Sequence, residues 1–173
     1  MREQLLAAIA RDDEVRARLA ETGALFDGYN AEMEAVHVEN ARILEEIIDA
    51  RGWPDAAMVG EDGAEAAFLI LQHAISRPDL MRRCLGLIEN APHAAYLADR
   101  IAVLEERPQR YGTQFDWDAD GALSPAPIDD VEGVDVRRAA IGLPPLAEKI
   151  AQMREAAAAE GERKPVDFAK RRA

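Results

Sequence analysis

The 173-residue chain is acidic, with a net charge of −12, and 49% of its residues are hydrophobic. A chain of this length buries about two-thirds of its unfolded surface, which is enough for one domain with its own core. Phosphate backbones and anionic membranes are bound by clustered Lys and Arg, so neither nucleic acid nor a membrane surface is expected as a partner. Aromatic residues are scarce and alanine is abundant, which favours closely packed helices over a sheet-rich core.

Apolar residues recur at helical spacing along most of the chain. They predict a mainly α fold, a single-domain helical bundle with helices over residues 3–21, 31–50, 62–76, 78–89, 92–106 and 144–158. Gly23 is expected to end the first helix, and Gly52 followed by Pro54 to end the second. Asp62 is expected to cap the third helix, with Glu65 as the reciprocal partner of a capping box.

Helical periodicity stops at Pro108, and the segment from 111 to 128 predicts a small β-hairpin that turns around Asp120 and Gly121. Residues 116–121, DWDADG, also match the start of a calcium loop, but the twelfth position is Pro127, where a bidentate glutamate is required. The single domain is predicted to span residues 1–160. Residues 161–173 are expected to form a mobile charged tail.

Four polar residues fall where the helical pattern expects apolar ones. The third helix is apolar nearly all round, yet Gln72 and His73 lie near its C-terminal end. On the second helix, His37 and Asn40 fall inside the apolar stripe. Each is either a core residue satisfied by a hydrogen bond or part of the wall of a polar pocket.

Several kinds of site find no support in the sequence. There is no glycine-rich phosphate loop in a strand–loop–helix setting and no G-x-S-x-G elbow, so no cofactor and no serine-hydrolase mechanism are predicted. His37, His73 and His93 could in principle meet at a metal, but they lack zinc-type spacing, and no metal ligands are predicted. Cys84 is the single cysteine and is interpreted as a packed thiol, and a cytoplasmic location is expected.

The predicted site combines a proton carrier with neutral donors and acceptors. His73 is the candidate for proton transfer near neutral pH, with Asp99 to orient it and Arg100 to hold an anionic substrate group. The residues predicted to bind a small polar ligand are Asn40, Gln72, Gln109, Tyr111, Thr113 and Gln114. Gly112 is expected either to adopt a positive φ angle or to let the backbone pass close to a ligand.

The same residues carry a resemblance to a known family. GWP (52–54), QHA (72–74), YLADR (96–100) and RPQRYGTQF (107–115) resemble an uncharacterised bacterial family, a domain of unknown function whose core ends in a YGTQ motif. SPAPIDD (124–130) and RRAAIGLPPL (137–146) are also similar to it, and the resemblance covers about residues 29–160. It implies a mostly helical domain and no particular activity. Relatives often carry aspartate where this chain has Ile75, which puts any role of that position here in doubt.

Three hypotheses about function follow. The first is a cofactor-independent enzyme that acts on a small polar molecule by acid–base chemistry, with His73 as proton carrier. The second is a non-catalytic binding or protein-interaction module in which the polar motifs form a structural network. The third is a metal-dependent enzyme that uses His37 and His73. The oligomeric state, the substrate and the reaction are not predicted.

Overall fold

The computed structural model describes residues 1–26, 28–118 and 120–159. They form two compact units, one of residues 1–87 and one that begins at residue 88. Seven α-helices, a 3-10 turn and one hairpin account for the regular structure of these residues, so the prediction of a mainly α fold is confirmed. The elements are α1 Arg2–Thr22, the 3-10 turn Ala24–Phe26, α2 Ala31–Arg51, α3 Ala56–His73, α4 Pro78–Leu85, α5 Ala91–Leu104, β1 Phe115–Trp117, β2 Leu123–Pro125, α6 Val134–Ala140 and α7 Leu146–Ala159.

The first unit is built on three long helices, α1, α2 and α3, which pack against one another, and α4 packs on α3. Each helix turns its apolar stripe inward, and the fully buried side chains include Leu5, Ala41, Leu44, Ile70, Leu71 and Met81. Cys84 also lies in this core as a free thiol, and burial raises its pKa to about 11. The thiol is therefore protonated and packed, as its apolar neighbours indicate.

The boundaries of α1 and α2 follow their sequence signals. Gly23 adopts the left-handed conformation after α1, and Gly52 has a φ of 83° after α2. The Asn30 side chain accepts a hydrogen bond from the backbone N–H of Glu32 and caps the start of α2. These ends were predicted from glycine because it tolerates positive φ without steric cost.

The predicted start of α3 is wrong. Asp55, seven residues before Asp62, caps the helix through the N–H of Met58, and the chain kinks at Gly60, which has non-helical angles. Asp62 instead forms a salt bridge with Arg2 at the start of α1. A local capping pattern could not reveal this because the competing partner of Asp62 lies sixty residues away.

The second unit consists of α5, the hairpin, α6 and α7. Strands β1 and β2 pair antiparallel with Asp116 opposite Ser124, within the predicted segment, and β2 contacts α7. The Asp118 carboxylate accepts hydrogen bonds from the N–H groups of Asp120 and Ala122 and from the Ser124 hydroxyl. These bonds hold its pKa below the usual range, since they stabilise the carboxylate. The aspartates of this segment therefore build the turn, and those that the structure describes form no cluster of metal ligands.

The assignment of residues 1–160 to one domain stays a prediction, because two compact units can belong to one domain or to two. The predicted charged tail at 161–173 lies outside the described residues. Within 1–26, 28–118 and 120–159, every helix is too short or too polar to cross a membrane.

Gly112 and Gly142 form a matched pair for a stability test. Both have positive φ, but a Cβ at Gly112 would lie 2.8 Å from Leu146 Cδ1 and 2.9 Å from Ile128 Cδ1, whereas a Cβ at Gly142 meets nothing within 4 Å. We expect Gly142→Ala to lower the free energy of unfolding by about 1–2 kcal/mol from backbone strain. Gly112→Ala should cost up to about 1 kcal/mol more, because the terminal methyl groups of Leu146 and Ile128 must move aside. Urea unfolding of both variants measures the difference, and equal losses would contradict the tight packing around Gly112.

Candidate functional site

Three titratable side chains from three helices of the first unit meet at one point. Asp12 comes from the middle of α1, His37 from α2 and His73 from the last position of α3. Asp12 lies seven residues from both Leu5 and Leu19, so a regular helix puts all three on the buried face. Its side chain is 1% exposed. The packing of α1 against α2 and α3 therefore delivers the carboxylate to the two imidazoles.

The carboxylate oxygen Asp12 Oδ2 is close to both histidine rings. It lies 2.9 Å from His73 Nδ1, a hydrogen bond, and 3.3 Å from His37 Nε2. The two rings are 5.1 Å apart between centroids. On the far side, His37 Nδ1 is 2.8 Å from the Tyr29 hydroxyl, and the Tyr29 and His37 rings stack. The result is a connected chain, Tyr29–His37–Asp12–His73.

The charge state of this chain follows from its surroundings. Burial raises the pKa of Asp12, but interactions with His37 and His73 outweigh it and hold that pKa well below the usual range. Asp12 is therefore an anion at neutral pH. Burial, together with the negative charges of Glu34 and Asp12, raises the pKa of Tyr29 to about 12, so its hydroxyl keeps its proton.

Two buried atoms at the centre have no hydrogen-bond partner among the described residues: Asp12 Oδ1 and His37 Nε2. Buried polar atoms normally have a partner, so an unpaired pair of this kind points to a site for a ligand. Imidazole nitrogen and carboxylate oxygen are ligands that Zn²⁺ and related transition metals accept. One such atom from each of Asp12, His37 and His73 lies within 4.8 Å of the other two.

One of the separations also suits a metal. With metal–ligand bonds of about 2.0–2.2 Å, neighbouring ligand atoms in a tetrahedral site lie about 3.3–3.5 Å apart. The 3.3 Å between Asp12 Oδ2 and His37 Nε2 fits this range, whereas the 2.9 Å between Asp12 Oδ2 and His73 Nδ1 is a hydrogen-bond distance that a bound ion would lengthen. The Tyr29 hydroxyl at His37 Nδ1 is the kind of outer partner that fixes a metal-bound imidazole. His73 ends α3, where the partial negative charge of the helix C-terminus favours a cation.

A cavity of about 130 Å³ opens beside the cluster. Its wall is formed by the three residues of the cluster and by six others, which are Arg16, Leu25, Gly28, Tyr29, Asn30 and Met33. His73 is the most exposed member of the cluster, at 34%, whereas the side chain of His37 is 11% exposed. A small molecule in the cavity would therefore meet His73 and any ion that the cluster binds.

The other predicted residues of the first unit lie inside its core. Asn40 is 1% exposed, and both of its polar atoms are engaged by α1: its amide donates to the carbonyl of Ala8, and its oxygen accepts from Arg11. Gln72 is 5% exposed and precedes His73 on α3. Their predicted roles in binding a ligand stay predictions.

The remaining predicted residues belong to the second unit, where Asp99 anchors the YGTQ segment. The Asp99 carboxylate is 1% exposed and accepts hydrogen bonds from the backbone N–H groups of Arg110, Tyr111 and Thr113 and from the Thr113 hydroxyl. The role of orienting His73 was predicted for Asp99, but the carboxylate that hydrogen-bonds the His73 ring is Asp12. Asp99 instead fixes the backbone of a loop.

Gln109 and Gln114 complete this loop. Gln109 is fully buried, its amide donates to the carbonyls of Gln114 and Ala126, and its oxygen accepts from the Gln114 N–H. The Gln114 amide donates to the carbonyl of Tyr96 and to the Thr113 hydroxyl. The neutral polar groups predicted to bind a substrate thus have partners within the protein.

Three further groups surround the loop. Arg138 is fully buried and donates to the carbonyls of Pro144 and Tyr111, and burial lowers its pKa. Arg100, predicted to hold an anionic group, is half-buried, and desolvation lowers its pKa to about 10, so it stays charged at neutral pH. The Tyr111 ring is half-buried, with the Arg110 guanidinium 5.8 Å from its centroid.

Sequence reasoning missed Asp12, Tyr29 and Arg138. A signal for Asp12 was present, because an acidic residue at heptad spacing between Leu5 and Leu19 is unexpected on a core face. Arg138 lies in the quoted RRAAIGLPPL segment, but nothing in that segment distinguishes a buried arginine from an exposed one. Tyr29 lies between helices and gave no periodic signal.

Asp99→Asn tests the role of Asp99 as an anchor. Asparagine has nearly the same shape as aspartate, but its NH₂ group would face backbone N–H donors and could not accept their hydrogen bonds. The bonds that remain would be made to a neutral oxygen and would be weaker than bonds to a carboxylate. We expect the free energy of unfolding to fall by about 2–4 kcal/mol. Urea unfolding measures this, with the exposed Asp129→Asn in the same unit as the control. Equal stability of the two variants would contradict the anchoring role.

Comparison with curated proteins found no match, and comparison with solved structures found none either. A family model does match, and it covers residues 1–160 with both the histidine cluster and the YGTQ loop. The chain therefore belongs to the family of unknown function DUF6624.

Proposed function

We propose that the protein is a metal-dependent enzyme that acts on a small polar molecule at the Asp12–His37–His73 cluster. The observation that carries this proposal is the convergence of one carboxylate and two imidazoles from three helices, with Asp12 Oδ1 and His37 Nε2 buried without a hydrogen bond among the described residues. Of the hypotheses that the sequence leaves open, this is the metal-dependent one, with Asp12 added as the third ligand.

The chemistry follows from the ligand set. Three protein ligands leave a transition-metal ion with an open position, as in catalytic rather than structural sites. An ion held this way polarises a bound carbonyl or phosphoryl oxygen and lowers the pKa of a bound water toward neutrality. The cavity beside His73 would receive the substrate. Nitrogen ligands disfavour Mg²⁺ and Ca²⁺, so the ion would be of the Zn²⁺, Fe²⁺, Co²⁺ or Ni²⁺ kind.

Cofactor-independent acid–base catalysis is the second candidate, and a separate observation favours it. The hydrogen bond of 2.9 Å between Asp12 Oδ2 and His73 Nδ1 is the arrangement that orients an imidazole for proton transfer through Nε2. The His73 side chain is 34% exposed, so a substrate can approach it. In this case His73 carries the proton and Asp12 takes the orienting role first predicted for Asp99.

The hydrogen bonds of the YGTQ loop in the second unit support a structural role for Asp99, Gln109 and Gln114. Asp99, Gln109 and Gln114 direct their polar atoms to partners within the loop and its neighbours. We propose that these residues hold the loop in one conformation and do not contact substrate. The hypothesis that the polar motifs form a structural network is therefore proposed here for the YGTQ loop of the second unit, and not for the histidine cluster.

Metal binding by purified protein is the first test. Isothermal titration and elemental analysis should find one divalent transition-metal ion per chain. Asp12→Asn, His37→Asn and His73→Asn should each weaken binding more than about 100-fold, since loss of an outer-shell partner already costs 10–100-fold. Tyr29→Phe, which removes such a partner from His37, should cost about 10-fold.

His93→Asn is the matched control, because His93 is the third histidine of the chain and lies on α5 of the second unit. It should bind metal as the wild type does. Circular dichroism melting confirms that each variant folds. A wild-type protein that takes up no stoichiometric ion, or ligand variants that bind as tightly as the His93 control, would refute the metal site.

Nitrogen-15 NMR of the three histidine rings separates the two candidates. On addition of Zn²⁺ we expect large shifts at His37 Nε2 and His73 Nδ1, because metal binding requires a lone pair at those atoms. His93 should not change. If the histidine resonances of the cluster ignore the metal while His73 keeps a protonated Nδ1 bonded to Asp12, the acid–base candidate is favoured instead.

A further inference from the structure

The hydrogen bond between Tyr29 and His37 can run in either direction. The Tyr29 hydroxyl lies 2.8 Å from His37 Nδ1, its one hydrogen-bond partner among residues 1–26, 28–118 and 120–159. A phenol donates one proton and can also accept, whereas a neutral imidazole carries its proton on one nitrogen and a lone pair on the other. The position of the proton on His37 therefore decides whether Tyr29 donates or accepts.

Without a metal ion, the Asp12 carboxylate favours one of the two arrangements. Asp12 Oδ2 is 3.3 Å from His37 Nε2. A lone pair on that nitrogen would be repelled by the carboxylate, whereas a proton there is attracted to it. A neutral His37 then has its proton on Nε2 and its lone pair on Nδ1, and the Tyr29 hydroxyl donates to that lone pair.

A metal ion at the cluster would reverse the bond. Binding through His37 Nε2 needs the lone pair of that nitrogen, so the proton of a neutral ring must lie on Nδ1. Nδ1 then donates, and the Tyr29 oxygen accepts. The Tyr29 proton is no longer engaged by His37 and is available to another acceptor.

The available proton lies at the wall of the cavity. Tyr29 and His37 both line this cavity, which is partly open to solvent, and Tyr29 is 37% exposed. Glu34 acts on Tyr29 through its charge and not through a hydrogen bond. The acceptor of the Tyr29 proton is therefore water in the empty site and an oxygen of the ligand in the occupied one.

We infer that Tyr29 is a hydrogen-bond donor to the substrate, and that it takes this role only when a metal ion occupies the cluster. This inference rests on the proposed metal site and adds a residue and a ligand class to it. The substrate carries two acceptor oxygens, one for the open metal position and one for Tyr29. Because the ion and the hydroxyl lie at opposite nitrogens of the His37 ring, the two oxygens belong to different functional groups.

The position of the His37 proton can be measured without a substrate. Nitrogen-15 NMR of the histidine rings should find this proton on Nε2 in the metal-free protein and on Nδ1 after addition of Zn²⁺. Carbon-13 NMR of tyrosine Cζ should show the Tyr29 resonance moving as its hydroxyl stops donating to the imidazole. Tyr96 and Tyr111 belong to the second unit and should not respond.

Cobalt-loaded protein tests the contact with a ligand. Malonamate has a carboxylate for the metal and an amide oxygen for Tyr29, whereas butyrate has the carboxylate and a similar length without that oxygen. We expect malonamate to change the visible absorption of Co²⁺ at about 10-fold lower concentration than butyrate does, the value of one hydrogen bond.

Tyr29→Phe at saturating Co²⁺ should bind the two probes equally, because only malonamate loses a partner. Tyr111→Phe is the matched control, since it removes the hydroxyl of a half-buried tyrosine in the second unit. It should retain the preference for malonamate. Cobalt absorption by both variants shows that each is folded and loaded.

The outcomes separate this inference from the metal site. Absence of cobalt absorption, with histidine resonances that ignore Zn²⁺, would overturn both. Normal metal binding with the His37 proton on Nδ1 before and after Zn²⁺ would overturn the reversal of the bond and leave the metal site intact. A preference for malonamate that is missing in the wild type, or that survives in Tyr29→Phe, would overturn Tyr29 as the donor.

Discussion

The buried carboxylate of Asp12 is the constraint on which the first unit depends. A carboxylate that is 1% exposed is costly unless charge or hydrogen bonds compensate it, and here the compensation comes from His37 and His73 on two other helices. The packing of α1 against both α2 and α3 is what brings the three together. Replacement of Asp12 by an apolar residue would suit the core, so its presence there is better explained by a functional site than by stability.

The second unit satisfies its buried acid in a different way. Asp99 has four donors, three of them backbone N–H groups of one loop, so its charge is used to fix a chain conformation. Gln109 and Arg138 bond further carbonyls and amides of the same loop. A densely bonded network of this kind specifies one structure, although the Nη2 atom of Arg138 has no hydrogen-bond partner among the described residues. The candidate site differs because its buried atoms without a hydrogen bond, Asp12 Oδ1 and His37 Nε2, belong to residues that line a cavity.

Much of the helical architecture could be predicted, because helix periodicity and helix ends are local. Gly23 and Gly52 end their helices as expected, and the hairpin lies within the predicted segment. The start of α3 was misplaced because the chain offers two local caps, Asp55 and Asp62, and the structure uses Asp55, while Asp62 pairs with the distant Arg2. His73 was predicted as a site residue from its position on an apolar helix, but the carboxylate that hydrogen-bonds it was not predicted, since Asp12 lies sixty-one residues before it.

The sequence by itself determined the helical class, the family and the presence of polar side chains on apolar faces, because each of these is written in short-range spacing or in contiguous motifs. The tertiary structure decided which polar residues are partners. It joined Asp12, which no motif contains, to His37 and His73, and it turned the YGTQ residues toward one another and toward Asp99. The physical reason is that hydrogen bonds and metal ligands depend on distances between helices, and helix packing sets those distances.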